Sequence, residues 1–189
     1  MPPLWFPWAL LGFMLLGESP SWREYGRRWA RSPQDRSSAL YSAIVGFVSG
    51  LAAVFLAPWA REQPGMALPG TVAWSGTALV VLGTALRAWS MTVLGRYFTL
   101  TVQVREGQPV IERGPYRILR HPSYAGGELA LLGVGLTLGA WPSTLLFVVP
   151  FFVAHLHRIR AEEAALAETL GEPYRAYMRR TWRLVPYVW

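Results

Sequence analysis

The chain has 189 residues, 52% of them hydrophobic and only 15% charged, which is too apolar for an ordinary soluble domain and points to a membrane. It has no cysteine, so disulfides, thiol catalysis and cysteine-based metal sites are excluded. The net charge of +7 rests on eighteen basic residues, all arginine, a balance that fits either nucleic acid or a membrane surface.

A hydrocarbon core of about 30 Å takes roughly 20 apolar residues per helix. Residues 3–17, "PLWFPWALLGFMLLG", form a short first span. No Lys or Arg precedes this run, which argues against a cleaved signal peptide. Residues 39–60 and 70–94 are the second and third spans, 123–140 the fourth and 143–157 the fifth, the last running on through polar turns. The segments between them alternate in charge. Residues 18–38 carry five arginines, 61–69 only Arg61, 95–121 five, 141–142 none, and the tail from 158 six. Arginine-rich loops stay in the cytoplasm, so five spans with the N-terminus outside and the C-terminus inside satisfy every loop. The basic charge then needs no nucleic acid. Trp5, Trp8, Trp59, Trp74, Trp89 and Trp141 fall near span ends, where interfacial anchors belong.

Two segments share the cytoplasmic side. The first holds "TVQVREGQPV", read as a short irregular hairpin, and then "RGPYRILRHPSYAGG" at 113–127. Pro122 holds His121 extended and suits the first turn of the fourth helix. The unpaired N–H groups there, with Arg117, Arg120 and His121, make a site for an anionic group; binding of anionic lipid headgroups is the simpler alternative. Gly126, Gly127, Gly133, Gly135 and Gly139 punctuate the fourth helix, for helix packing or, at Gly126 and Gly127, close approach to a ligand. The second segment is the tail, "RIRAEEAALAETLGEPYRAYMRRTWRLVP". The fifth helix continues to a stop at Gly171. Pro173 opens a short helix with Tyr174, Tyr177, Met178 and Thr181 on one stripe, an aromatic lid over the bundle's end. Arg158 and Glu163 project about 140° apart and need not pair. Glu162 is open between a place in the site and a solvated face. Glu128, early in the fourth span, is expected to pair with Arg87 of the third, with lining of the acceptor's entry by a polar group as the alternative. His155 and His157, two apart on a helix, cannot share a metal. No phosphate-loop, dinucleotide, zinc-protease or serine-hydrolase motif is present.

The motif "GPYRILRHPSYAG", the glycine-rich helical hairpin and this tail, in that order over about residues 80–187, resemble the isoprenylcysteine carboxyl methyltransferase family, with its phospholipid methyltransferase relatives. The resemblance implies an all-α integral membrane protein of about five transmembrane helices, whose cytoplasmic helical tail forms the cofactor pocket. It implies a single membrane domain over 1–189, in which 1–69 carries two spans without a family motif and 70–189 forms the methyltransferase core. S-adenosyl-L-methionine is the implied methyl donor, contacted by Tyr116, His121, Tyr124, Gly126, Leu129, Tyr174, Tyr177, Arg183 and Pro186. Arg158, Glu163 and Arg120 take the catalytic positions, and no metal is implied. The acceptor is a lipid or prenyl-type molecule entering from the membrane, with a carboxylate head by resemblance and a phospholipid amine or a thiol as alternatives. A carboxylate needs no base, whereas an amine would, with Glu163 the expected one. The all-arginine usage points to a prokaryotic inner membrane, and there is no long insert of the kind that would read a protein partner. A nicotinamide-dependent membrane reductase and a non-enzymatic membrane protein are the rival classes.

Overall fold

The computed structural model describes residues 1–3, 5–17, 33–98 and 108–188, and the regular elements among them are helices. They are α1 (Phe6–Gly17), α2 (Pro33–Glu62), α3 (Gly70–Leu94), α4 (Pro122–Thr137), α5 (Trp141–Leu170) and α6 (Glu172–Arg180), with 3₁₀ turns at Gly95–Tyr97 and Gly114–Arg117. The expected hairpin around 101–107 and most of the first arginine-rich loop lie outside the described residues. Three helices, α2, α3 and α5, are long and apolar enough to cross a membrane. The other two expected spans are shorter, α1 at 12 residues and α4 at 16.

Helix ends follow local chemistry. Pro122 and Pro142 stand in the first turns of α4 and α5, where a missing N–H costs nothing. Gly171 ends α5 with φ 64°, a conformation that side chains with a Cβ resist. At 30 residues α5 is about 45 Å long, half as long again as a hydrocarbon core, so its last turns stand clear of the apolar layer.

The bundle is built around α4, which is buried on most sides although it is shorter than α2, α3 and α5. It packs against α3 through a glycine seam. A Cβ on Gly133 would lie 2.4 Å from the Gly76 carbonyl oxygen, and one on Gly126 2.6 Å from that of Gly83. Both glycine pairs are seven residues apart, two turns of one helix face, and run antiparallel. Backbone contact replaces side-chain packing there, as expected in lipid. Gly126 is therefore committed to α3.

The two ends of the bundle differ. At one, Leu68 and Trp141 pair with Gly139 and Met66 through backbone bonds, closing the α4–α5 turn on the 63–69 loop. Arg61, in the last turn of α2, donates to the Leu138 carbonyl at 2.7 Å, so it caps the C-terminus of α4. At the other end, residues 108–121 meet the tail.

Candidate active site

The motif loop and the tail are joined by backbone. Arg120 and His121 N–H groups donate to the Trp182 and Arg183 carbonyls at 2.7 and 3.2 Å, and Trp182 N–H donates to Ile118 at 2.9 Å. The Tyr177 hydroxyl donates to the Tyr116 carbonyl at 2.8 Å, seating α6 on the turn that precedes His121. Segments 60 residues apart in sequence thus form one structure at the end of α5.

Glu163 is the centre of it. Its side chain is 5% exposed and takes Arg120 Nε at 2.9 Å, Arg183 Nε at 3.1 Å, Arg183 Nη2 at 2.6 Å and His121 Nε2 at 3.3 Å. Arg120 Nη1 also donates to the carbonyls of Met178 and Thr181. These contacts revise two expectations. A carboxylate shared by two guanidiniums and an imidazole is a poor proton acceptor, so Glu163 is not suited to be a base. Arg120 is occupied holding the tail to the loop, which leaves it ill-placed to orient an acceptor. Together they tie three elements at one point.

Arg158 and Glu163 face different partners, in keeping with their 140° separation. Arg158 Nε donates to the Tyr124 hydroxyl at 2.8 Å, and that hydroxyl donates to Glu162 Oε2 at 3.1 Å. Glu162 is therefore part of the cluster rather than a solvated residue. Its signal was legible: Arg158 and Glu162 are four apart and share a face of α5.

The stripe on α6 is borne out in its aromatic members. Tyr174, Tyr177 and Thr181 are buried, with the two rings 5.8 Å apart. Burial, first of all, pushes the hydroxyls of Tyr116, Tyr174 and Tyr177 well above the ordinary phenol range, so they stay neutral. His121 is buried and its ring meets Tyr124 at 5.7 Å. Leu129 lies half-buried on α4, and Pro186 is exposed in the last turn, away from the buried tyrosines' shelter. Glu128 hydrogen-bonds His155 across α4 and α5, where a pair with Arg87 was expected; Arg87 reaches the Ser123 hydroxyl at 2.9 Å. Among the described residues no acidic and histidine cluster of metal-binding size occurs.

Comparison with known proteins follows the same outline. Residues 76–168, from α3 through most of α5, match the Isoprenylcysteine carboxyl methyltransferase (ICMT) family; the tail beyond 168 lies outside that match. Protein-S-isoprenylcysteine O-methyltransferase B of Arabidopsis thaliana is 31% identical over 127 residues, 66% of this chain and 64% of the plant protein. An uncharacterized Bacillus subtilis protein, YpbQ, is 35% identical over 96 residues, 50% of this chain and 57% of its own length. The solved eukaryotic intramembrane Ras methyltransferase ICMT shares the fold with a TM-score of 0.58 at 21% identity, covering 84% of this chain and 54% of that one. This chain thus spans a little over half to just under two thirds of the relatives it matches. Over residues 76–168, then, this chain is similar to the isoprenylcysteine carboxyl methyltransferase family, on a bundle that includes helices long and apolar enough to cross a membrane.

Proposed function

We propose that the chain is an S-adenosylmethionine-dependent methyltransferase acting on a lipid or prenyl-type acceptor held in the membrane, with a carboxylate head the class its relatives' names carry. The observation that supports this best is the joining of the motif loop to the tail at the end of long apolar helices. It sets a cluster of arginines and neutral tyrosines where a soluble donor and a membrane-borne acceptor can meet.

The donor set suits S-adenosylmethionine. Buried tyrosine rings offer faces for a flat heterocycle and for a sulfonium cation, and Arg158 and Arg183 offer hydrogen bonds to an amino-acid carboxylate. When bound, the group supplies an already activated methyl. The chain's own work is to orient the acceptor and keep water away. Tyr116, His121, Tyr124, Leu129, Tyr174, Tyr177, Arg183 and Pro186 are the proposed contacts, with the backbone at Gly126. Arg158, with Glu162 through Tyr124, is the proposed pair at the reacting centre, and Glu163 and Arg120 hold the frame.

Five spans, the N-terminus outside and this cluster in the cytoplasm of a prokaryotic inner membrane complete the reading. Met1 lies beside Gly70 and Gly139, at the end of the bundle opposite the cluster, as that topology requires. Calorimetry on the purified protein in detergent tests it. S-adenosylmethionine should bind and NADPH should not, and a radiolabelled methyl should pass to a lipid extract. Binding of NADPH instead would favour the reductase class, and binding of neither would refute both enzymes.

A further inference from the structure

A second, part-buried acid lies one helical turn deeper than Tyr124 and Arg158. Glu128 follows Tyr124 by four residues on α4, and His155 precedes Arg158 by three on α5. His155 Nδ1 hydrogen-bonds Glu128 Oε1, with the two side chains 18% and 13% exposed. The other carboxylate oxygen, Oε2, is buried and without a hydrogen-bond partner among the described residues. A buried acceptor left unmet is costly, and an ionisable group at such depth usually faces a partner or a pathway. The site presents an acceptor to which no described residue donates.

Its surroundings form a graded wall. The His155 ring meets Tyr124 at 5.3 Å on one side and Phe151 at 5.6 Å on the other. Beyond Tyr124 stands His121 and the Glu163 cluster. Beyond Phe151 stands Phe147, at 6.1 Å, which lines an apolar recess with Trp8, Val54, Val134 and Leu138. A molecule with a polar head and an apolar body would lie along this wall with its head at Glu128 and His155.

We propose that Glu128 and His155 receive a lipid acceptor whose head is a neutral S–H or O–H group, and that His155 takes its proton during methyl transfer. The inference rests on the methyl-transfer reading above and replaces its carboxylate head with a protonated one. A carboxylate head would be repelled by Glu128 and would need no base. With Nδ1–H held by Glu128, Nε2 is the ring's accepting nitrogen, and the carboxylate stabilises the imidazolium that forms. A thiol or phenol gives up its proton far more readily than an aliphatic alcohol, so either suits an imidazole as proton acceptor. An aliphatic alcohol does not. In the step, the acceptor's sulfur or oxygen bonds the methyl carbon as its proton passes to His155 Nε2. The methyl–sulfonium bond breaks, and its electron pair goes to the donor sulfur.

The test uses the full chain in detergent with S-adenosylmethionine and two probes of equal apolar body, farnesyl thiol and farnesylthioacetic acid. The thiol should be methylated. His155→Gln should lower that rate by at least about 100-fold, the usual share of general acid–base catalysis, while donor binding changes less than about threefold. Wild-type rates on the thiol in His155→Gln, or methylation of the acid alone, would overturn the proposal. An equal fall on both probes that tracks a lower melting temperature would overturn it in favour of a packing pair. Should the variant not fold, ¹⁵N spectra of the three histidine rings in the unmodified protein decide. Farnesyl thiol with S-adenosylhomocysteine must shift the His155 ring, and an unmoved ring refutes the idea. If the unmodified protein does not bind S-adenosylmethionine, the methyl-transfer reading falls and this one with it. Binding with transfer to the acid alone removes only this one.

Discussion

Glu163→Gln keeps the shape of the side chain and removes the negative charge that Arg120 and Arg183 share. Those guanidiniums have side chains 10% and 20% exposed, and Glu163 itself is 5% exposed, so water cannot fully replace the carboxylate. Breaking a buried pair by removing one partner costs about 3–5 kcal/mol. Arg120 keeps its bonds to the Met178 and Thr181 carbonyls, and Arg183 is the wetter partner, which puts the loss near the lower bound. About 3 kcal/mol is roughly a 100-fold rise in the population whose tail has left the motif loop, at 1.4 kcal/mol per tenfold. Amide hydrogen exchange in detergent reads this directly. The N–H groups of Arg120, His121 and Trp182, which bond across the join, should exchange about 100-fold faster. Those inside Gly70–Leu94 should keep their protection. Exchange at wild-type rates in the three joining amides would refute Glu163 as the centre of the cluster.

Tyr177→Phe removes the hydroxyl that bonds the Tyr116 and Leu119 carbonyls and should cost about 1 kcal/mol by denaturant titration, whereas His121→Ala and Tyr177→Ala should each weaken S-adenosylmethionine binding in calorimetry. Unchanged affinity in both alanine variants would remove this pocket from consideration. Gly133→Ala sets a Cβ against the Gly76 backbone and should cost about 1–3 kcal/mol by melting in detergent, while Gly12→Ala, which meets nothing within 4 Å, should be silent. Reporter fusions after residues 107 and 189 should read cytoplasm and one after Gln63 the opposite side; a cytoplasmic signal at 63 would sink the five-span topology.

Helix positions were readable from the chain because their causes are local. The apolar run at 70–94 became a helix with those bounds, and Pro122, Pro142 and Gly171 punctuate α4, α5 and the start of the tail as their backbone chemistry requires. The buried tyrosine stripe of α6 followed from helical spacing alone. Partners were a different matter. Spacing showed that Arg158 and Glu163 point apart, but not that Glu163 would gather Arg120 from 43 residues upstream and Arg183 from 20 downstream. Nor did it show that Glu128 would meet His155 across α4 and α5. Those choices depend on how far each helix slides and turns against its neighbour. The glycine seam fixes the register of α3 against α4, because two helix backbones touch there, and the folded bundle as a whole decides which charges come within reach of one another.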